Sequence, residues 1–381
     1  MPARLSLALF YLAHFGTLGV YLPYFTLYLE RLGFDPFQIA VVAALQPLVR
    51  ATAPILWGLA ADRSGQRWRL TVTASALGAA TLTLLLGASR FEAVCVVMAL
   101  YGFFISGTLP LVEATTLETV ASREGGYGRT RVWGSIGFIA VAGAWGWVLD
   151  HAGIRWVVYG LVGFSGSIFL AAMGVPRPAA HPRTAEGAAA WRPRRLAIGF
   201  FFASTLLQQA SHGPYYAYFS LHLQEMGWSR AAIGFAWMVG VLSEVVMMMR
   251  SERLAARWGL PALLAATHVA AVVRWMLLAW LTAPGAILLS QTLHAVTFGA
   301  FHVSAVRRTQ ALFPPGRRGF GQSLFSALTY GAGSALGMLG GGLLHARLGA
   351  RGLFAAAAGA AILSLAAQGA SDLMARRGAR F

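Results

Sequence analysis

The chain has 381 residues, of which 57% are hydrophobic and 11% charged, where soluble domains run about 25% charged, so an ordinary cytosolic enzyme is excluded. All thirty basic residues are arginine, and against thirteen acids they give a net charge of +17, which points to nucleic acid in a soluble protein but to the positive-inside rule in a membrane protein. The lone Cys95, in an apolar run, excludes an internal disulfide framework or a cysteine-rich metal site and reads as a small buried hydrophobe.

Taken in chain order, runs of the roughly 20 apolar residues that a bilayer core requires predict twelve spans. The first six cover residues 5–29, 38–60, 70–89, 91–112, 132–149 and 156–175. After a polar gap, six more cover 196–223, 232–249, 260–282, 286–306, 319–344 and 353–371. The first run is too long for a cleaved signal and carries His14 and several tyrosines, so it is expected to stay as a span. Its His14, Thr17, Tyr21, Tyr24 and Tyr28 recur at steps of three and four, which is one helical face. Between the sixth and seventh spans, residues 176–195 hold four prolines and five arginines and read as a cytoplasmic linker. The expected domains are therefore 1–175, the linker 176–195, and 196–381.

With the N-terminus inside, 22 arginines fall on inner segments and six on outer ones, while Arg50 and Arg274 lie within spans. That split places both termini in the cytoplasm. It also removes nucleic acid as a partner, since the arginines are scattered over short segments and form no stripe.

The halves repeat. An offset of 194 residues aligns Tyr24-Phe25-Thr26-Leu27-Tyr28-Leu29 with Tyr218-Phe219-Ser220-Leu221-His222-Leu223, and Gly33-Phe34 with Gly227-Trp228. Coincidence among apolar helices does not explain matches at polar and glycine positions in register. A parallel six-plus-six repeat is one arrangement of secondary transporters.

The loop after the second span reads Gly58-Leu-Ala-Ala-Asp62-Arg63-Ser-Gly65-Gln66-Arg67. It resembles the signature loop of the major facilitator superfamily, with Gln66 in place of one basic residue. The resemblance implies a gate in which Gly58 permits close helix contact and Asp62 pairs with cytoplasmic arginines. Arg63, Gly65 and Arg67 complete the loop; its second-half counterpart around Arg253 and Gly259 is degenerate. Four further segments are Tyr127–Phe138, Gly234–Val245, Val273-Arg274-Trp275 and Leu293–His302. Together they resemble the phenylpropionate permease family, close to the nucleoside–proton symporters. The family implies an all-α membrane protein of twelve transmembrane helices, two six-helix bundles in parallel pseudo-repeat. It also implies proton-driven uptake, and Glu244, Arg274, His294 and His302 match polar positions of its pattern.

An ionisable group at the bilayer centre costs at least about 2.5 kcal/mol and needs a partner or a wet cavity. Glu113 and Glu244 are the deep acids. Arg50 and Glu244 are 194 apart, so the two halves put opposite charges at equivalent depths. Glu244 reads either as a proton-titrating carboxylate or as a static pair with Arg274 or Arg50. Histidine titrates near neutrality, which makes His294 and His302 candidate relays, with hydrogen-bonded helix histidines as the other reading. In a regular helix their eight-residue spacing sets them about 12 Å and a quarter turn apart. His268 and His345 read as packing or end residues, and His151, His181 and His222 as facing water.

In the superfamily the first and seventh helices line a central cavity. The first-span stripe and its repeat at Gln208, Ser211, Tyr215, Tyr218 and His222 are expected to face it, although tyrosines at outer ends also suit an interfacial belt, which fits Tyr28 and His222 best. The expected substrate contacts are His14, Tyr21, Tyr24, Arg50, Gln208, His212, Tyr215 and Tyr218, an aromatic wall with polar tips suited to a small ring-bearing solute. Gly213-Pro214 is expected to break the seventh helix as a kink over substrate. No metal or cofactor is expected, and no sequence motif of an enzyme is present. The expected protein is an inner-membrane, monomeric proton symporter meeting only lipid, protons and a small solute such as an aromatic carboxylate. A nucleoside or sugar symporter, a drug or metabolite exporter, and a non-transporting receptor are the alternatives.

Overall fold

The computed structural model describes residues 3–120, 126–177 and 195–377. Every regular element among these residues is a helix. The first half has α1 Ala3–Arg31, α2 Pro36–Ser64, α3 Arg67–Leu86, α4 Phe91–Val120, α5 Gly126–Ala152 and α6 Trp156–Met173. The second has α7 Arg195–Glu225, α8 Arg230–Trp258, α9 Leu260–Trp280 and α10 Pro284–Leu312. A last run divides at Gly349, whose φ of 62° and ψ of −176° leave the helical region, into α11 (318–348) and α12 (350–377). Ten runs are long and apolar enough to cross a membrane; the more polar α7 and the division at Gly349 complete the twelve.

Most helices outrun the spans read from hydropathy, while α3, α6 and α9 stop two or three residues short, and three differences bear on function. α4 continues to Val120, so Glu113 lies inside it rather than at its edge. There Thr115, Thr116 and Thr119 donate to carbonyls four residues back, so the hydroxyls of this polar stretch are satisfied within the helix. α8 likewise carries Arg250, Arg253 and Arg257 on helix rather than in a loop. The expected break at Gly213-Pro214 does not occur, and α7 runs through it. A Cβ on Gly213 would collide with the Gly337 backbone of α11. Such close packing supports a proline-bearing membrane helix that has lost a hydrogen bond.

The 194-residue repeat recurs in the backbone. Gly33 and Gly227 end α1 and α7 with φ of 86° and 82°, and Gly65 and Gly259 end α2 and α8 with φ of 63° and 80°. Glycine takes this left-handed conformation without a Cβ penalty. Two residues after the first pair come matched caps. Asp35 accepts the Gln38 N–H at 2.9 Å, and the Ser229 hydroxyl accepts the Ala232 N–H at 3.2 Å. Gly19 of α1 abuts the α5 backbone at Phe138 and Ala142, as its repeat Gly213 abuts α11.

Two compact units form, one of Met1–Pro182 with Ser220–Met238, the other of Arg183–Phe219 with Val239–Phe381. In the first, α1 packs on α5 and α6, and α4 packs on α2 and α3. Asp150, near the end of α5, accepts the N–H groups of Arg230 and Ala231 at 3.0 and 2.9 Å and so caps α8. Tyr28 and His222, expected at a wet interface, are both buried in this unit. In the second, α9 packs on α10 and α12. His268 is held there by Ser204 of α7 and Ser364 of α12 at 3.0 and 3.2 Å, a packing role. The expected linker falls almost wholly on residues 178–194, which with His181 lie outside the described residues.

Candidate functional site

Two polar clusters stand where apolar helices would otherwise be featureless. The first is built on Arg274, which α9 carries inward and which has no exposed surface. A guanidinium removed from water must place its donors. One terminal nitrogen donates to His294 Nδ1 at 2.9 Å and to the Thr297 hydroxyl at 3.2 Å, and the other to Gln291 Oε1 at 3.2 Å. Gln291 Oε1 also accepts from the Tyr215 hydroxyl at 2.8 Å. The guanidinium lies 4.3 Å from the Tyr215 ring centre and 4.7 Å from that of Trp275, the range of a cation–π contact.

This geometry fixes the histidine tautomer. Arginine only donates, so His294 Nδ1 is a bare lone pair and the ring proton sits on Nε2. That nitrogen faces Glu244 Oε2 at 3.5 Å. The order is carboxylate, neutral imidazole, guanidinium. Glu244 and Arg274, expected as a direct pair in one reading, are thus bridged by the imidazole of His294.

A π-helical turn at Ala295–Ala300 shapes this face of α10. It corrects the expected quarter turn between the histidines. The rings of His294, Phe298 and His302 stack nearly parallel, at 5.2 and 6.4 Å with 16° and 11° between planes. His302 Nδ1 then meets the Tyr330 hydroxyl at 2.7 Å, and Tyr330 lies on a second π segment, Ser326–Gly333. π turns concentrate at functional sites. Gly299 leaves the space Glu244 occupies, since a Cβ there would stand 3.3 Å from Glu244 Cγ.

The second cluster belongs to the first unit. His14, Thr17, Tyr21, Gln46, Arg50 and Tyr101, with Leu18 and Ile105, line a cavity of about 20 Å³, enough for about one water. Arg50 ends the first segment of α2, at a break over Ala51 and Thr52. Pro54 causes the break, because it has no N–H for the preceding turn and disfavours helical geometry before it. Arg50 is exposed and has no hydrogen-bond or ion-pair partner among the described residues. Tyr21 stacks on Phe25 at 5.1 Å, as its repeat Tyr215 packs on Phe219 at 4.8 Å.

The other expected residues distribute as follows. Tyr24 is outside this cavity, its hydroxyl donating to the Ala142 carbonyl. Tyr218 stacks on His345 at 4.8 Å. The His212 Nδ1–H donates to the Gln208 carbonyl at 2.8 Å. Its Nε2 and Gln208 Oε1 are buried without partners, two acceptors facing no donor. Glu113 pairs with Arg131 at 3.5 Å and accepts from Tyr127 at 3.4 Å. In the loop expected to gate, Gly65 turns the chain and Arg67 pairs with Glu118 at 2.8 Å, while Asp62 and Arg63 are exposed on the last turn of α2. Gly58 makes no close helix contact, because the space where a Cβ would stand is open.

Gln46, Tyr101, Gln291, Thr297 and Tyr330 were not among the expected site residues. Their one signal is spacing, since Gln46 is four before Arg50 and Gln291 three before His294, the steps that share a helix face.

The sequence model of the MFS_1 like family matches residues 4–356. A probable 3-phenylpropionic acid transporter of Escherichia coli (strain K12) is 28% identical over 358 residues, covering 90% of this chain and 91% of its own. The maltose permease of Geobacillus stearothermophilus is 29% identical over 352 residues, covering 89% and 87%. A crystal structure of the nucleoside transporter NupG superposes with a TM-score of 0.81 at 20% identity, covering 97% and 99%, a likeness of fold.

Proposed function

This chain belongs to the MFS_1 like family of the major facilitator superfamily, and on that premise we propose a proton-coupled symporter importing a small aromatic carboxylate. The observation that carries proton coupling is the line Glu244–His294–Arg274. Protonating Glu244 removes the one negative charge facing the imidazole, while Arg274 keeps Gln291, Thr297 and His294 as acceptors. Desolvation favours the neutral carboxyl and the nearby cation favours the anion. A carrier that reorients when the acid is neutral and substrate is bound couples the two fluxes.

The substrate class rests on Arg50. A guanidinium at a helix break, flanked by His14, Tyr21 and Tyr101, has its donors free for a carboxylate, and the rings suit an aromatic body. Positive-inside arginines support an inner-membrane carrier with both termini in the cytoplasm. A second reading, a sugar or nucleoside symporter, is favoured by the unpartnered acceptors Gln208 Oε1 and His212 Nε2, which suit a hydroxyl-rich solute, and by the permease relative.

Uptake into proteoliposomes with an imposed inward proton gradient tests the reading. Phenylpropionate should accumulate, and maltose and uridine should not. Arg50→Gln should raise the half-saturating phenylpropionate concentration by about tenfold or more, as loss of a charge-assisted pair does. Accumulation of the sugar or nucleoside alone transfers the case to the second reading; efflux alone overturns both.

A further inference from the structure

A separate basic cavity opens where α2 turns into α3. It measures about 310 Å³ and is lined by Gly65, Gln66, Arg67, Trp68, Arg69 and Arg177. The lining carries three guanidinium charges and no carboxylate. Among the described residues Glu118 takes Arg67 at 2.8 Å, and Asp62 lies on the last turn of α2, three residues before Gly65. Arg69 and Arg177 form no ion pair among the described residues, so their charge is available to an anion.

The local chain holds these groups in place. Gly65, at φ 63°, makes the turn, and nothing fills the space where its Cβ would be. Gln66 precedes the first residue of α3 but provides no side-chain cap, because its Oε1 accepts from Arg69 at 2.9 Å. The leading N–H groups of a 17-residue helical stretch, Arg67–Thr83, are left without the side-chain acceptor they normally have. Arg177 lies 3.9 Å over the Trp68 ring, so its planar fork is held in one orientation. Trp68 Nε1 is buried and has no acceptor. Donors from Arg69, Arg177, an indole and a helix start converge there, with Glu118 engaged by Arg67.

The cavity also has a definite depth. α3 begins at Arg67 and α6 ends at Met173, so both apolar segments stop beside it. Trp68 suits the interface at which aromatic rings collect. Basic pockets at the cytoplasmic ends of membrane helices hold acidic headgroups.

We propose that the cavity formed by Gln66, Arg67, Trp68, Arg69 and Arg177 binds a phosphate-bearing anion at the membrane surface. The shared chemistry is a phosphate oxygen pair on Arg69 and Arg177. The source is either the phosphodiester of an acidic phospholipid or free inorganic phosphate. The site is independent of the transported solute.

The test uses the full chain in neutral detergent, following its unfolding midpoint while dioleoylphosphatidylglycerol, zwitterionic dioleoylphosphatidylcholine or inorganic phosphate is titrated. Phosphatidylglycerol should raise the midpoint saturably and phosphatidylcholine should not. The Arg69→Gln/Arg177→Gln double variant should need about tenfold more lipid for half the shift, while Arg31→Gln, on the other side, titrates like the parent. A response to inorganic phosphate alone supports the site with the free anion as its source. Should the double variant be too unstable, Arg177→Lys keeps the charge but loses the fork and should weaken the response severalfold. Equal shifts with phosphatidylcholine, or an unchanged titration in the double variant or in Arg177→Lys, overturn the proposal.

Discussion

Arg274 sets the terms of the site, because a cation with no exposed surface needs partners, and both its terminal nitrogens have them while Nε has none. Gln291 is the acceptor shared by Arg274 and the Tyr215 hydroxyl. Gln291→Leu strands both donors and should cost about 1–3 kcal/mol, read as a lower unfolding midpoint in detergent. A midpoint equal to the parent's would mean that the pair finds acceptors elsewhere. Glu244, Arg274 and His294 were legible in the sequence because ionisable groups are rare within spans. Their partners were not. Gln291, Thr297 and Tyr330 are ordinary in membrane helices, where they can satisfy themselves locally, and only the fold aims them at a charge. Tyr24 misled for the converse reason. It shares the stripe's spacing, yet its hydroxyl is consumed by the Ala142 carbonyl.

At the scale of helices, hydropathy found every span but not its ends or irregularities. α4 continues past its apolar stretch with Thr115, Thr116 and Thr119 bonded to its own carbonyls, and no hydropathy scale registers such self-bonding. The π turns at Ala295–Ala300 and Ser326–Gly333 follow from packing. Gly333, for instance, abuts the Leu206 backbone, a contact absent from local sequence. Pro214 shows the opposite error, a breaker in isolation that α7 absorbs. Its neighbour Gly213 abuts the backbone of α11 at Gly337, so Gly213→Leu should force the helices apart. The expected loss is about 1–3 kcal/mol, seen as a lower unfolding midpoint, whereas Gly199→Leu, in open space on the same helix, should leave it nearly unchanged. Equal effects at both positions would show that Gly213 packing is not what supports α7.

For the whole molecule, the most legible feature was the repeat. An offset of 194 residues found in side chains returns as paired left-handed glycines, paired caps and paired first-to-fifth helix contacts. These recur because each half solves the same turn and packing problems. The arginine distribution predicts orientation, and a C-terminal tag in intact cells should be protected from an impermeant reagent and become reactive only after permeabilisation; labelling of intact cells would reverse the topology. The central claim is that Glu244 carries the coupled proton, with His294 as its partner and the fixed charge of Arg274 behind it. It is tested most directly by comparing net uptake with exchange in proteoliposomes under an inward proton gradient. Glu244→Gln fixes the neutral form, so accumulation against the gradient should vanish while exchange of labelled for unlabelled solute persists. Accumulation by Glu244→Gln at the parental rate would contradict the account, and the same result in Glu113→Gln would remove proton symport itself.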